Sequence, residues 1–152
     1  MKKSYDSVVG AKLLLALAYE KGFVLNVTKV QKILYIIYGY FLAKEGREIF
    51  TESPKAWPYG PVFPRTRKRV DFGKVYHITD EDIKDIASDE DLKGVFNKVI
   101  DKYAKFSAAQ LSDWSHMEGG AWDKTVKQAG FNWNNEIPNE FISEYFSQMN
   151  II

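Results

Sequence analysis

Apolar residues recur along most of this chain at the three- and four-residue spacing of a helix, and the exceptions fall together in one short stretch. Over residues 6–21, Val8, Ala11, Leu14, Leu15 and Ala18 cover one side, while Leu13, Ala16 and Leu17 cover much of the rest. Apolar nearly all round, this segment predicts a buried central helix, stopped by Gly22. Asn26 is placed to cap a second helix that runs to about Glu45 before Gly46. Val30, Ile33, Leu34, Ile37, Phe41 and Leu42 form its inner face, and Tyr35, Tyr38 and Tyr40 add rings whose hydroxyls need partners if buried.

The helical period breaks between Glu52 and Pro64. Pro54, Pro58, Pro61 and Pro64 each remove an amide donor and restrict the residue before, which excludes a regular helix or a central strand. The stretch predicts a short edge strand through Lys55-Ala56-Trp57, a fixed turn at Tyr59-Gly60-Pro61, and a short helix opened by Pro64. Val75-Tyr76-His77-Ile78 reads as a second short strand, able to pair with the first.

Helices then return. Thr79 with Asp82, and Ser88 with Asp91, resemble capping arrangements, and Ser107 with Gln110 forms a capping box. Leu92, Val95, Phe96, Val99, Ile100 and Tyr103 make the cleanest amphipathic stripe. A helix over residues 122–129, closed by Gly130, and a last one opened by Pro138 complete the pattern. Phe141, Ile142, Tyr145, Phe146 and Met149 form the inner face of the last helix. The expected fold is mainly α: a compact helical bundle with a small two-stranded β element in the middle of the chain.

Composition adds limits. A length of 152 residues favours one domain spanning 1–152. Cysteine is absent, which removes disulfides, thiol nucleophiles and Cys-based zinc sites, and fits a reducing cytoplasm. Lys2 and Lys3 ahead of an apolar stretch superficially suggest a signal peptide. Lys12 interrupts that stretch, and Tyr19-Glu20-Lys21 stands where a small-residue cleavage site belongs. The stretch is also far short of the ~20 apolar residues of a membrane span. A cytoplasmic protein with no membrane partner is expected.

Net charge is +1, so there is no global case for nucleic acid. Locally, Arg65, Arg67, Lys68 and Arg69 form a basic knot, and Asp80, Glu81, Asp82, Asp85, Asp89, Glu90 and Asp91 form an acidic run. Solvated faces near helix ends explain both; a polarised surface that steers a charged partner is the sharper alternative.

Candidate chemistry is sparse. Histidine occurs only at positions 77 and 116, with no HExxH, GxGxxG or Walker A spacing, so no metal, cofactor or reaction is expected. Ser115 and His116 are adjacent on a helix and point in different directions, which is no dyad. His116 reads first as a half-buried imidazole bonding a backbone carbonyl or a tyrosine hydroxyl. Trp57, Tyr59, Trp114, Trp122 and Trp133 read first as core. Trp57 and Tyr59, in a proline-stiffened segment, are the pair expected to be partly exposed, where a rigid loop loses less entropy on binding.

Lys29-Val30-Gln31-Lys32-Ile33-Leu34-Tyr35, then Ala56-Trp57-Pro58-Tyr59-Gly60-Pro61-Val62, then Leu111 to His116 with Trp122 beyond, together resemble the Panacea domain. This is the SocA-like, GepA-like family of bacterial and phage antitoxins, and the likeness runs from the first helix through Gly130. The resemblance implies a mainly helical domain that neutralises a protein toxin encoded beside it, one route being to hand the toxin to a Clp-type protease. Carried over by position, the motif residues are Gln31, Lys32, Tyr35, Trp57, Tyr59, Gly60, Pro61, Val62, His116 and Trp122. Each either holds the fold or touches the toxin. Trp57, Tyr59, Arg65, Arg67, Gln31 and Lys32 are the contact candidates, and Gly60 and Pro61 read as structural.

Two departures stand out. The family's Thr-His and Pro-Trp pairs are here Ser115-His116 and Ala121-Trp122, which puts weight on Gly119-Gly120 for the turn between them. Some members carry a separate N-terminal DNA-binding domain; this sequence starts almost directly at the first helix, so direct transcriptional autoregulation is not expected. The rival functions are a phage or mobile-element protein that counters host defence, and a weak nucleic-acid-associated protein using the basic knot.

Overall fold

The computed structural model describes residues 3–152, so Lys2 lies outside the described residues. In chain order the elements are α1 (Ser7–Glu20), α2 (Val27–Glu45), β1 (Lys55–Trp57), β2 (Gly60–Val62) and α3 (Pro64–Arg69). A 3-10 turn (Glu81–Ile83) leads into α4 (Lys84–Ala87), followed by α5 (Glu90–Tyr103), α6 (Ala108–Ser115), α7 (Ala121–Val126) and α8 (Asn139–Ser147). The fold is mainly α with one small antiparallel sheet in mid-chain, as the periodicity predicts.

Local chemistry sets the helix ends. The Asp6 carboxylate accepts from the Val8 amide at 2.9 Å to open α1, and the Asn26 side chain accepts from the Lys29 amide at 2.9 Å to open α2. Gly46, in the left-handed region with φ 61°, closes α2. The Ser107–Gln110 capping box is formed in full. Two expected caps are corrected. Ser88 turns its hydroxyl back to the Asp85 carbonyl at 2.6 Å, and it is Asp89 that caps α5 by accepting from Leu92. Likewise the 3-10 turn follows Asp80, not Thr79, and the Asp80 carboxylate accepts from the His77 amide.

The hub is α2, not α1. It packs against α1, α5, α6, α8 and β2, and α1 flanks it with nine of its residues buried. Where α2 meets α8 the backbone of Gly39 lies directly on the Phe146 ring; a β-carbon there would overlap the ring. Tyr35, Tyr38, Phe41, Phe50, Phe63 and Phe146 fill the centre around this contact.

β1 pairs with β2, not with residues 75–78. The register is Lys55↔Val62, Ala56↔Pro61 and Trp57↔Gly60, closed by Pro58 and Tyr59. The other edge of β1 is taken by a late loop: the Ala56 amide donates to the Asn135 carbonyl, and the Asn134 amide to the Ala56 carbonyl, both at 2.9 Å. With both edges satisfied, β1 has nothing to offer residues 75–78. Tyr76 is instead buried, its hydroxyl donating to the Asp71 carbonyl at 2.9 Å. The helix expected over residues 122–129 is also shorter, ending at Val126 before a turn that reaches left-handed Gly130. Among the described residues, no helix is long and apolar enough to cross a membrane.

Candidate functional site

The hairpin is fastened to α2 by two buried polar side chains, one helical step apart. Gln31 binds the backbone of Phe63 twice, accepting from its amide at 2.7 Å and donating to its carbonyl at 3.2 Å. Both the nitrogen and the oxygen of its amide are engaged in this strut. Lys32 is just as buried, at 3% exposure, yet its ammonium has one weak partner, the Pro61 carbonyl at 3.3 Å. No carboxylate among the described residues pairs with it, and burial pushes its pKa down to about 8.

Gly60 explains why these segments approach so closely. Its φ is 108°, which only glycine adopts cheaply. A β-carbon there would fall 2.8 Å from Ser115 Oγ, 3.0 Å from Lys32 Nζ and 3.2 Å from His116 Cε1. Helix α2, the hairpin and the end of α6 therefore converge on one backbone atom.

His116 seals the far side. Its Nδ1 lies 2.6 Å from the Ser112 carbonyl and its Nε2 3.0 Å from the Pro58 carbonyl. Both ring nitrogens face acceptors, so a neutral ring donates to one and an imidazolium to both. Its ring packs edge-on against Trp122 with centroids 4.3 Å apart, and the Trp122 indole donates to the Trp57 carbonyl at 2.9 Å. Gly119 takes a φ of 83° and donates to the Asp123 carboxylate, supplying the turn into α7 without the family's proline.

The outer face is aromatic and cationic. Trp57 is half-buried, its indole donating to the Asn134 side chain at 2.9 Å, and the Arg67 guanidinium lies over its ring at 5.8 Å. Tyr59 stands 72% exposed at the hairpin tip. Between these side chains, Val62 and Lys32 opens a cavity of about 300 Å³. Arg65 points elsewhere: it forms an ion pair with Asp6 at 2.6 Å and belongs to the scaffold. Tyr35 lies beneath the site, its ring against Phe146 and Trp114.

The family model described as "Antitoxin SocA-like, Panacea domain" matches residues 30–123. The chain belongs to this family. It is 30% identical over 141 residues to the protein named Antitoxin SocA of Caulobacter vibrioides (strain NA1000 / CB15N), covering 86% of this chain and 75% of that protein. No solved structure matches it. The Panacea match contains every motif residue gathered around Gly60, from Gln31 to Trp122.

The sequence reading missed two contributors. Ser112, on α6, lines the cavity and supplies the carbonyl that orients His116. Asn134, beyond the Panacea match, takes a left-handed φ of 79° and holds the Trp57 indole. The Asn134-Asn135 pair carries a turn signal, since asparagine tolerates that conformation, but nothing in the sequence ties the turn to Trp57.

Proposed function

We propose that this Panacea protein is an antitoxin that binds and blocks a protein toxin encoded beside it, performs no reaction of its own, and uses the hairpin face as its contact surface. The observation that carries the reading is the convergence of the matched motif residues, distant in sequence, beneath one face that carries the exposed Tyr59 and Arg67 and the half-buried Trp57. Trp, Tyr and Arg are the side chains that most often dominate binding energy at protein interfaces. Trp57 is already fixed by Asn134 and Arg67, so little side-chain freedom is lost on binding. Gln31 is engaged by the Phe63 backbone and Arg65 by Asp6, leaving Trp57, Tyr59, Arg67 and Lys32 as contacts.

The test is co-expression with the neighbouring toxin gene, followed by purification of the complex. The expected result is growth rescue and a stoichiometric complex. Tyr59→Ala, at an exposed tip with no packing role, should weaken that complex at least ~10-fold while leaving the melting temperature unchanged. A Tyr59→Ala and Arg67→Ala double variant that still rescues with full affinity removes this surface from the reading. Toxin half-life in cells with and without a Clp-type protease separates blocking from hand-over for degradation.

A further inference from the structure

We infer that the cavity beside Lys32 is a carboxylate-binding site, which accepts an acidic side chain of the protein partner. Lys32 is the odd cation of this molecule. Lys12, Lys21, Arg65 and Lys127 each meet a carboxylate within 3 Å at the surface, where water would serve almost as well. Lys32 is removed from water and offered only a backbone carbonyl at 3.3 Å. A buried ammonium with two unused donor positions is costly unless an anion completes it.

The surroundings favour that anion. Arg67, the second cation on the cavity wall, has no carboxylate partner among the described residues. Val27 and Thr28 in the first turn of α2 line the same cavity, so the positive end of the helix dipole adds to the field. The remaining wall is mainly apolar, from Val62 and the Trp57 ring, which suits the methylenes that carry a carboxylate. The cavity presents one buried ammonium and one guanidinium beside the neutral polar residues Thr28, Gln31, Tyr59 and Ser112. The apolar wall favours a carboxylate carried on methylenes, and inorganic phosphate is the competing anion to be tested against it.

The energetic logic is that of a half-made pair. Burial alone brings the Lys32 pKa down to about 8, so the ammonium is still charged at neutral pH but held there at a cost. An arriving carboxylate gives the buried ammonium a charged partner and raises its pKa again. A glutamine in the same place can accept a hydrogen bond but brings no charge to shift the pKa. The partner's acidic residue would therefore be selected by its charge, not merely its shape.

The identity of the acidic partner rests on the toxin-binding reading; the site itself is tested without a toxin. With lysines labelled on the intact chain, the Lys32 side-chain NMR signal is followed through pH in three additives: N-acetylglutamate α-amide, N-acetylglutamine amide and inorganic phosphate. The expected result is a saturable rise of the Lys32 midpoint by about one pH unit or more with the glutamate compound and none with the glutamine compound. In Lys32→Met the Trp57 indole signal, responsive in the wild type, should ignore the glutamate compound. An equal response to glutamine, or no response up to the solubility limit, overturns the inference. Saturation by phosphate at lower concentration than by glutamate overturns it too, in favour of a phosphate site. If the glutamate compound binds but the toxin is not bound, the site stands and the toxin reading falls. If the toxin complex forms with undiminished affinity in Lys32→Met, the toxin reading stands and this inference falls.

Discussion

Two charged regions of this molecule are built on opposite terms. Where the chain's start meets the 3-10 turn, α4 and α5, each cation has a carboxylate: Lys3 has Asp85, Lys12 has Asp82 at 2.6 Å, and Arg47 has Asp89 at 3.5 Å, though its buried Nε has no partner among the described residues. Asp89 also accepts from the Tyr5 hydroxyl at 3.0 Å while capping α5. Around the hairpin, Lys32 and Arg67 gather with the imidazole of His116 at hand, and among the described residues neither of the two cations meets a carboxylate. The acidic run is conspicuous in the sequence, yet much of it is stapling. The hairpin cations are quiet in the sequence, and theirs is the charge left unanswered.

The largest effect that breaks the contrast is at Gly60. In Gly60→Ala the methyl group meets Ser115 Oγ and Lys32 Nζ, and the backbone must hold φ 108° with a side chain. Strain and overlap together should cost about 2–4 kcal/mol in urea unfolding, and toxin binding should fall with them. Gly22→Ala is the control. It has the same left-handed backbone, φ 87°, but faces open space, and should cost only about 1–2 kcal/mol with binding intact.

Next comes Lys32→Met, which should stabilise the free protein. Folding lowers the Lys32 pKa from 10.5 to about 8. Below about 8 the ammonium is charged in both states and the full penalty is present. Between about 8 and 10.5 the unfolded chain binds more protons than the folded one, so wild-type stability rises with pH and the penalty fades. Lys32→Met should therefore gain about 2–3 kcal/mol at pH 7 and almost nothing near pH 10.5, read by denaturant unfolding at both. A loss at pH 7 would mean that Lys32 is a fold residue and that the two regions are alike.

Much of the fold was legible because helices announce themselves locally. Asn26, Gly46 and the Ser107–Gln110 box each act over three or four residues and appear where expected. The sheet was misassigned for the complementary reason. β1's second edge is closed by residues 134–137, some eighty positions away, and nothing local distinguishes that loop from residues 75–78. The site was legible as a list but not as a place. Gln31 and Lys32 are neighbouring polar residues of equal burial, yet one is bonded at both its nitrogen and its oxygen to the Phe63 backbone and the other left nearly bare. Only the position of the hairpin over α2 makes that distinction. The same holds for Arg65 and Arg67, two positions apart, one paired with Asp6 and one lying over Trp57.

On the matched side, Asp89 should matter most. Burial works to raise its carboxyl, but the Leu92 amide, the Tyr5 hydroxyl and Arg47 together outweigh burial and hold it below the usual carboxylate range. A depressed carboxyl contributes stability that is fully present above its unfolded value and is lost as pH falls through the folded one. Asp89→Ala should cost about 1–2 kcal/mol at neutral pH, mostly as a lost cap and an orphaned Arg47. The difference from wild type should shrink on the acid limb, when thermal unfolding is followed down in pH. Toxin binding should not change.

The smallest effect sharpens the comparison most, because it sets one lysine against another. Lys12 and Asp82 form a partly exposed pair, and such pairs couple by about 0.2–1 kcal/mol. A double-mutant cycle with Lys12→Met and Asp82→Ala should return a coupling in that range, reduced by added salt, because water already answers much of each charge. Lys12→Met alone should then lose a few tenths of a kcal/mol, while the same substitution at Lys32 gains. Opposite signs for one chemical change separate a cation that the fold has already matched from one that it holds for a partner. Equal signs would place both lysines in the scaffold and leave the hairpin face with its aromatic side chains alone.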